Sequence, residues 1–146
     1  DLEGRVAATG GCVDVAPLPT VRADPTLMRQ LLQNLLANAL KFHRPGVPPR
    51  VRVWAERDGA EGAGARGWRL RVQDNGIGFD ERYLDRIFNP FQRLHGRGDY
   101  EGTGMGLAIC RKIAEHHHGS ITARSTPGQG STFEVALPFH TDDTPS

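Results

Sequence analysis

The chain predicts a two-layer α/β sandwich of the α+β kind: one mixed β-sheet covered on one face by helices. Three observations carry this. Leu27, Met28, Leu31, Leu32, Leu35, Leu36 and Leu40 recur at three- and four-residue intervals, as on an amphipathic helix with one buried stripe. Val51, Val53 and Ala55, then Trp68, Leu70 and Val72, alternate with polar residues, and the segments 120–125 and 132–137 read as a second strand pair. A length of 146 residues fits one domain, able to bury roughly 70% of the surface its unfolded chain exposes.

The elements follow in order. Cys12-Val13-Asp14-Val15 alternates like a strand, and a Pro-rich connector leads to Asp24-Pro25. An aspartate N-cap followed by proline in the first turn starts a helix. The leucine stripe carries that helix from 27 to 42, and His43-Arg44-Pro45-Gly46 ends it, since proline disfavours helix at the residue before it. The two runs 51–55 and 68–72 form a hairpin whose Gly-rich tip spans 58–64. Residues 81–88 read as a short helix and 92–103 as a long glycine-containing loop without apolar period. A helix over 105–118, strands over 120–125 and 132–137, and a turn at 126–130 complete the domain, assigned to residues 1–139, with 140–146 a flexible tail.

Composition narrows the function classes. With 18 basic and 17 acidic residues, a net charge of +1 offers neither a nucleic-acid footprint nor a membrane-attracting face. Cys12 and Cys110 sit in apolar contexts without metal or redox spacing and read as buried thiols in a reducing compartment. No apolar stretch reaches membrane-spanning length, and the first residues lack signal-peptide character. The expectation is a soluble, cytoplasmic domain.

Chemistry-bearing residues fall in a few places. Gln30, Asn34, Asn38 and Lys41 share one helical arc bordering the leucine stripe. Asparagine costs roughly half a kcal/mol against alanine inside a helix, so two of them four residues apart want a reason. Asp74-Asn75-Gly76-Ile77-Gly78 leaves a strand end, where a carboxylate offers acceptors only and two glycines permit close backbone approach to a ligand. Gly102-Thr103-Gly104-Met105-Gly106-Leu107 precedes a helix, and N–H groups there favour phosphate. The glycines do not follow a strand and no Gly-Lys-Ser/Thr is present, which disfavours a dinucleotide fold and a P-loop. His116, His117 and His118 point about 100 degrees apart on a helix, cannot chelate one ion together, and read as a solvated helix end.

Taken together at these separations, the segments 34–42, 74–79, 88–91 and 102–107 resemble the N, G1, F and G2 boxes of the ATP-binding domain of bacterial sensor histidine kinases, in the GHKL ATPase superfamily. The resemblance runs from about residue 20 to residue 138. It implies a Bergerat-type ATP-binding fold with a flexible ATP lid over residues 92–103, and ATP and Mg²⁺ as cofactors. Within it Asn38 is the implied Mg²⁺ ligand, Asn34 supports the same site, and Lys41 places a charge near the phosphates. Asp74 becomes the adenine selector beside Gly76, Ile77 and Gly78, and Thr132 a water-mediated adenine contact. Phe91 belongs to the F box, Arg93 reaches the γ-phosphate, and Gly102, Thr103, Gly104, Met105, Gly106 and Leu107 line the phosphates. Asn38, Lys41 and Arg93 are the implied catalytic residues. Because relatives that hydrolyse ATP carry a glutamate where this chain has Asn34, and an amide cannot act as a base, intrinsic hydrolysis is expected to be slow.

The resemblance further implies a protein-histidine kinase that donates the γ-phosphate to a histidine on its own separate dimerisation and phosphoacceptor domain, and acts indirectly on a response regulator. None of the six histidines has the sequence context of a phosphoacceptor, so the isolated piece is expected to be incomplete. Because the resemblance implies dimers held by a helical hairpin not found here, it is expected to be mainly monomeric, without nucleic-acid or direct membrane contact. The runs Phe91-Gln92-Arg93-Leu94-His95 and 41–46 are similar to those of kinases linked to PAS or phytochrome sensors. Two alternatives stand beside this reading: an anti-sigma-type protein-serine kinase, which would want glutamate at position 34 and a shorter lid, and a nucleotide-sensing or partner-docking module without phosphotransfer.

Overall fold

The computed structural model describes residues 2–59, 65–89 and 106–139. Its elements are α1 (Leu2–Thr9), β1 (Cys12–Val15), α2 (Pro25–Lys41), β2 (Arg50–Gly59), β3 (Ala65–Asp74), a 3-10 turn (Glu81–Tyr83), α3 (Leu84–Ile87), α4 (Gly106–His116), β4 (Ser120–Ser125) and β5 (Ser131–Pro138). The five strands form one sheet in the order β1-β2-β3-β5-β4, with β1 parallel to β2 and the remaining pairs antiparallel. Helices α2 and α4 pack over one face, so the two-layer mixed-sheet architecture is as expected. No helix among the described residues is long and apolar enough to cross a membrane.

Strand register organises the core. Because side chains alternate across a sheet, paired residues form rows on the helix-facing side. Val53, Val72, Phe133 and Ala123 make one row, and Ala55, Leu70, Val135 and Ile121 the next. Against them α2 sets Leu31, Leu35, Ala39 and Leu40, and α4 sets Cys110, Ile113 and Ala114. At one end of this apolar stack the row becomes polar: Val51, Asp74, Ser131 and Ser125. The opposite face carries salt bridges from Arg69 to Asp58 and Glu134 and from Arg71 to Glu56.

Helix α2 starts as its sequence dictates, with the Asp24 carboxylate accepting from the Leu27 N–H at 3.1 Å and proline in the first turn. The first hairpin is longer than its apolar runs indicated, because Asp58 and Glu56 are held by cross-strand arginines. The short helix at 81–88 resolves into a 3-10 turn and one α-helical turn. Helix α1 was not anticipated: Val6 packs against the core, and the helix lies beside α2. Residues 140–146, the expected tail, lie outside the described residues.

Two readings are corrected. Cys12 is exposed, since β1 turns Val13 toward the core and Cys12 away from it. Cys110 is buried as expected, and burial pushes its thiol up to about 12. Among the three histidines, His116 and His118 are exposed but His117 is buried. Its Nδ1 donates to the Ile113 carbonyl at 2.8 Å and its Nε2 accepts from the Asp24 N–H at 3.0 Å, tying the end of α4 to the start of α2. Removing that acceptor in His117→Ala is expected to lower unfolding free energy by about 1–3 kcal/mol. A chemical denaturation midpoint shifted to lower denaturant at unchanged slope checks this; an unshifted midpoint contradicts the strut.

Candidate functional site

The polar row at the sheet end faces the last turns of α2, and short backbone contacts fix the two together. The Ile77 N–H donates to the Phe42 carbonyl at 2.9 Å, at the end of α2. Gly76 lies so close that a Cβ there would strike the same carbonyl, and Gly78, at φ +66, would strike the Thr126 carbonyl. The Gly128 N–H reaches the Ile77 carbonyl at 2.6 Å, and the Phe79 N–H reaches Ser125 Oγ at 2.8 Å. These glycines therefore let three segments of this chain approach one another.

Asp74 is half-buried in this frame. Its Oδ1 accepts from the Gly76 N–H at 2.8 Å and the Ser131 N–H at 3.3 Å, while Oδ2 has no partner among the described residues. Burial pushes its carboxyl up to about 6, and the two N–H donors pull it back down. The site thus presents one acceptor oxygen that is committed to the fold and one that is not.

On α2, the side chains of Asn34 and Asn38 make no hydrogen bond among the described residues, and Asn34 Nδ2 is a fully buried donor without an acceptor. Leaving a buried amide unpaired costs about 1–3 kcal/mol. Lys41 Nζ lies 5.0 Å from the centroid of the Phe42 ring. Gly106 and Leu107 open α4, with Gly106 exposed and Leu107 against the core. Phe91, Arg93, Gly102, Thr103, Gly104 and Met105 lie outside the described residues.

Thr132 is not brought to this site. It stands in the outer-face row with Arg52, Gln73 and Arg124, and its Oγ1 accepts from Gln73 Nε2 at 3.4 Å. Its neighbour Ser131 is the inward residue, buried next to Asp74 and 3.0 Å from Ser125 Oγ. Phe133, Val135 and Leu137 carried the signal that would have found Ser131, because the face they share includes 131 and excludes 132.

No group of three or more histidine, cysteine, aspartate or glutamate side chains able to hold a metal occurs among the described residues. A hard cation that takes few protein oxygens and completes its shell from phosphates and water suits an amide-only donor set. Asn38, with its unpaired side chain, meets that requirement.

Comparison with known proteins agrees with this geometry. The family model of histidine kinase-, DNA gyrase B- and HSP90-like ATPases matches residues 23–141. Phytochrome-like protein Cph1 of Synechocystis sp. is 46% identical over 95% of this chain and 18% of its own length. Circadian input-output histidine kinase CikA of Synechococcus elongatus is 44% identical over 82% of this chain and 15% of its own. Full-length ShkA, solved in complex with AMPPNP, superposes with a TM-score of 0.77 at 31% identity, over 96% of this chain and 28% of that one. The nucleotide-free catalytic domain of histidine kinase ThkA gives a TM-score of 0.69 at 26% identity, over 94% and 86%. The chain spans less than a fifth of the length of the two curated relatives.

Proposed function

This chain belongs to the histidine kinase-, DNA gyrase B- and HSP90-like ATPase family, and we propose that it binds Mg-ATP between Asp74 and the amide arc of α2 and offers the γ-phosphate to a histidine on a separate phosphoacceptor domain of its parent kinase. A response regulator is the expected indirect recipient. The observation that carries this reading is a half-buried carboxylate whose Oδ2 has no partner among the described residues, beside a helix whose Asn34 and Asn38 side chains make no hydrogen bond among them.

Each residue has a task. Asp74 Oδ2 accepts the exocyclic amine of adenine, which an acceptor-only group recognises against a carbonyl at the same place. Ser131 and Gly76 hold Oδ1 and so orient the carboxylate. Asn34 supports the same site from the turn before Asn38, and Lys41 adds positive charge at the end of α2. Asn38 holds Mg²⁺, which when bound neutralises charge on the phosphates. Arg93, placed by sequence alone, contacts the γ-phosphate. Asn34 cannot serve as a base, so water is not activated and the phosphoryl group is kept for the acceptor.

Incubating the chain with the phosphoacceptor region of its parent and ATP labelled at the γ-position tests the transfer: label on a histidine of the acceptor is expected. Binding without any transfer would leave a nucleotide-sensing module instead. Arg93→Ala is expected to weaken ATP and leave ADP unchanged, as measured by calorimetry. Equal losses for both nucleotides would remove Arg93 from the γ-phosphate.

A further inference from the structure

The side chain of Asn75 is not needed to recognise a base, yet it joins more of the site than its neighbours do. Its Oδ1 accepts from the Arg50 N–H at 2.8 Å, its Nδ2 donates to the Pro48 carbonyl at 3.3 Å, and its own carbonyl accepts from Arg44 Nε at 2.9 Å. Arg44 and Pro48 lie in the connector that leaves α2, and Arg50 is the first residue of β2, which the connector enters. That connector, 42–49, has little regular structure of its own, so Asn75 ties it to the loop that follows Asp74 at the end of β3. On the other side of Gly76, the Ile77 N–H grips the Phe42 carbonyl. Gly76 is thus held from both sides, and its N–H is the closer of the two donors that set the Asp74 carboxylate.

We propose that Asn75, with Arg44 behind it, is a positioning residue for base recognition: it fixes Gly76 and thereby aims the free oxygen of Asp74 at the amine of an adenine nucleotide. This rests on the reading of Asp74 given above. Loss of the Asn75 side chain frees the loop to shift against α2, and a directional hydrogen bond weakens steeply with misalignment. The phosphate end of the site, built on α2 and α4, is untouched by that shift. Asn75 therefore acts on the identity of the base and leaves nucleotide binding through the phosphates as it was.

The test compares ATP with inosine triphosphate, which carries a carbonyl in place of the amine. Wild type is expected to prefer ATP by about ten- to a hundredfold, the span of a hydrogen bond to a charged group. In Asn75→Ala the preference is expected to shrink by about fivefold or more, with inosine triphosphate affinity unchanged and thermal melting recorded alongside. A general loss of stability would lower both affinities together; that outcome, or an unchanged preference, overturns the positioning role while the reading of Asp74 stands. Absence of any preference in wild type defeats the reading of Asp74 and the inference with it. Should Asn75→Ala fail to fold, Arg44→Ala removes the donor to the Asn75 carbonyl and is held to the same comparison.

Discussion

Asp74→Asn is expected to weaken ATP and ADP by about ten- to a hundredfold alike, because it replaces a charge-assisted contact to the base that both nucleotides share. The same substitution is expected to stabilise the nucleotide-free protein above neutral pH. Burial raises the Asp74 carboxyl in the folded state from 3.8 to about 6. A group more basic when folded favours the folded state in its protonated form. Its contribution is therefore fully present below about pH 4 and is lost as pH rises through about 6, at a cost of the order of 2–3 kcal/mol. Asparagine keeps an oxygen for the Gly76 and Ser131 N–H donors and carries no charge to bury. Thermal melting should accordingly show the variant above wild type at pH 8 and level with it at pH 4. A variant less stable at pH 8, or a loss confined to ATP, would mean that Asp74 serves the fold or the phosphates instead. In wild type, nucleotide affinity should fall as pH drops below about 6, where the carboxylate is neutralised.

Asn38→Ala is the second large effect. With Mg²⁺ present, ATP affinity should drop roughly tenfold or more, since losing a ligand costs at least as much as losing a group that supports one. With the ion chelated away, variant and wild type should bind equally. The fold should not suffer: the Asn38 side chain makes no hydrogen bond among the described residues, and alanine is the better helix former by about half a kcal/mol. Calorimetry with and without Mg²⁺ separates the two terms. Equal affinities in its presence would take the metal away from Asn38.

How much of this was legible in the sequence depends on whether the deciding partner was near in the chain. The start of α2 at Asp24-Pro25, its leucine stripe and the second strand pair are local patterns, and each lies where it was read. Ser131, Cys12 and His117 were local as well, but needed the parity of their neighbours. Phe133 places 131 inward, Val13 turns Cys12 outward, and Ile113 and Ala114 put His117, four and three residues on, along the buried side of α4. The glycines at 76 and 78 could not have been explained locally. What they make room for is the Phe42 carbonyl on one side and the Thr126 carbonyl on the other, contacts that only the folded chain creates. Helix α1 is short, and a helix of that length draws its stability from packing, here against α2.

The central claim is that an adenine nucleotide sits at the polar end of the sheet. Amide chemical shifts recorded while ATP and Mg²⁺ are titrated into the isotopically labelled chain test it most directly. The account predicts saturable shifts of Gly76, Ile77 and Ser131, together with the side-chain amides of Asn34 and Asn38. A pocket of about 280 Å³ lies at the other end of the sheet, lined by Trp68, His117, Leu137 and Phe139 among others. Shifts confined to those residues, with Gly76 and Ser131 unmoved, would contradict the account.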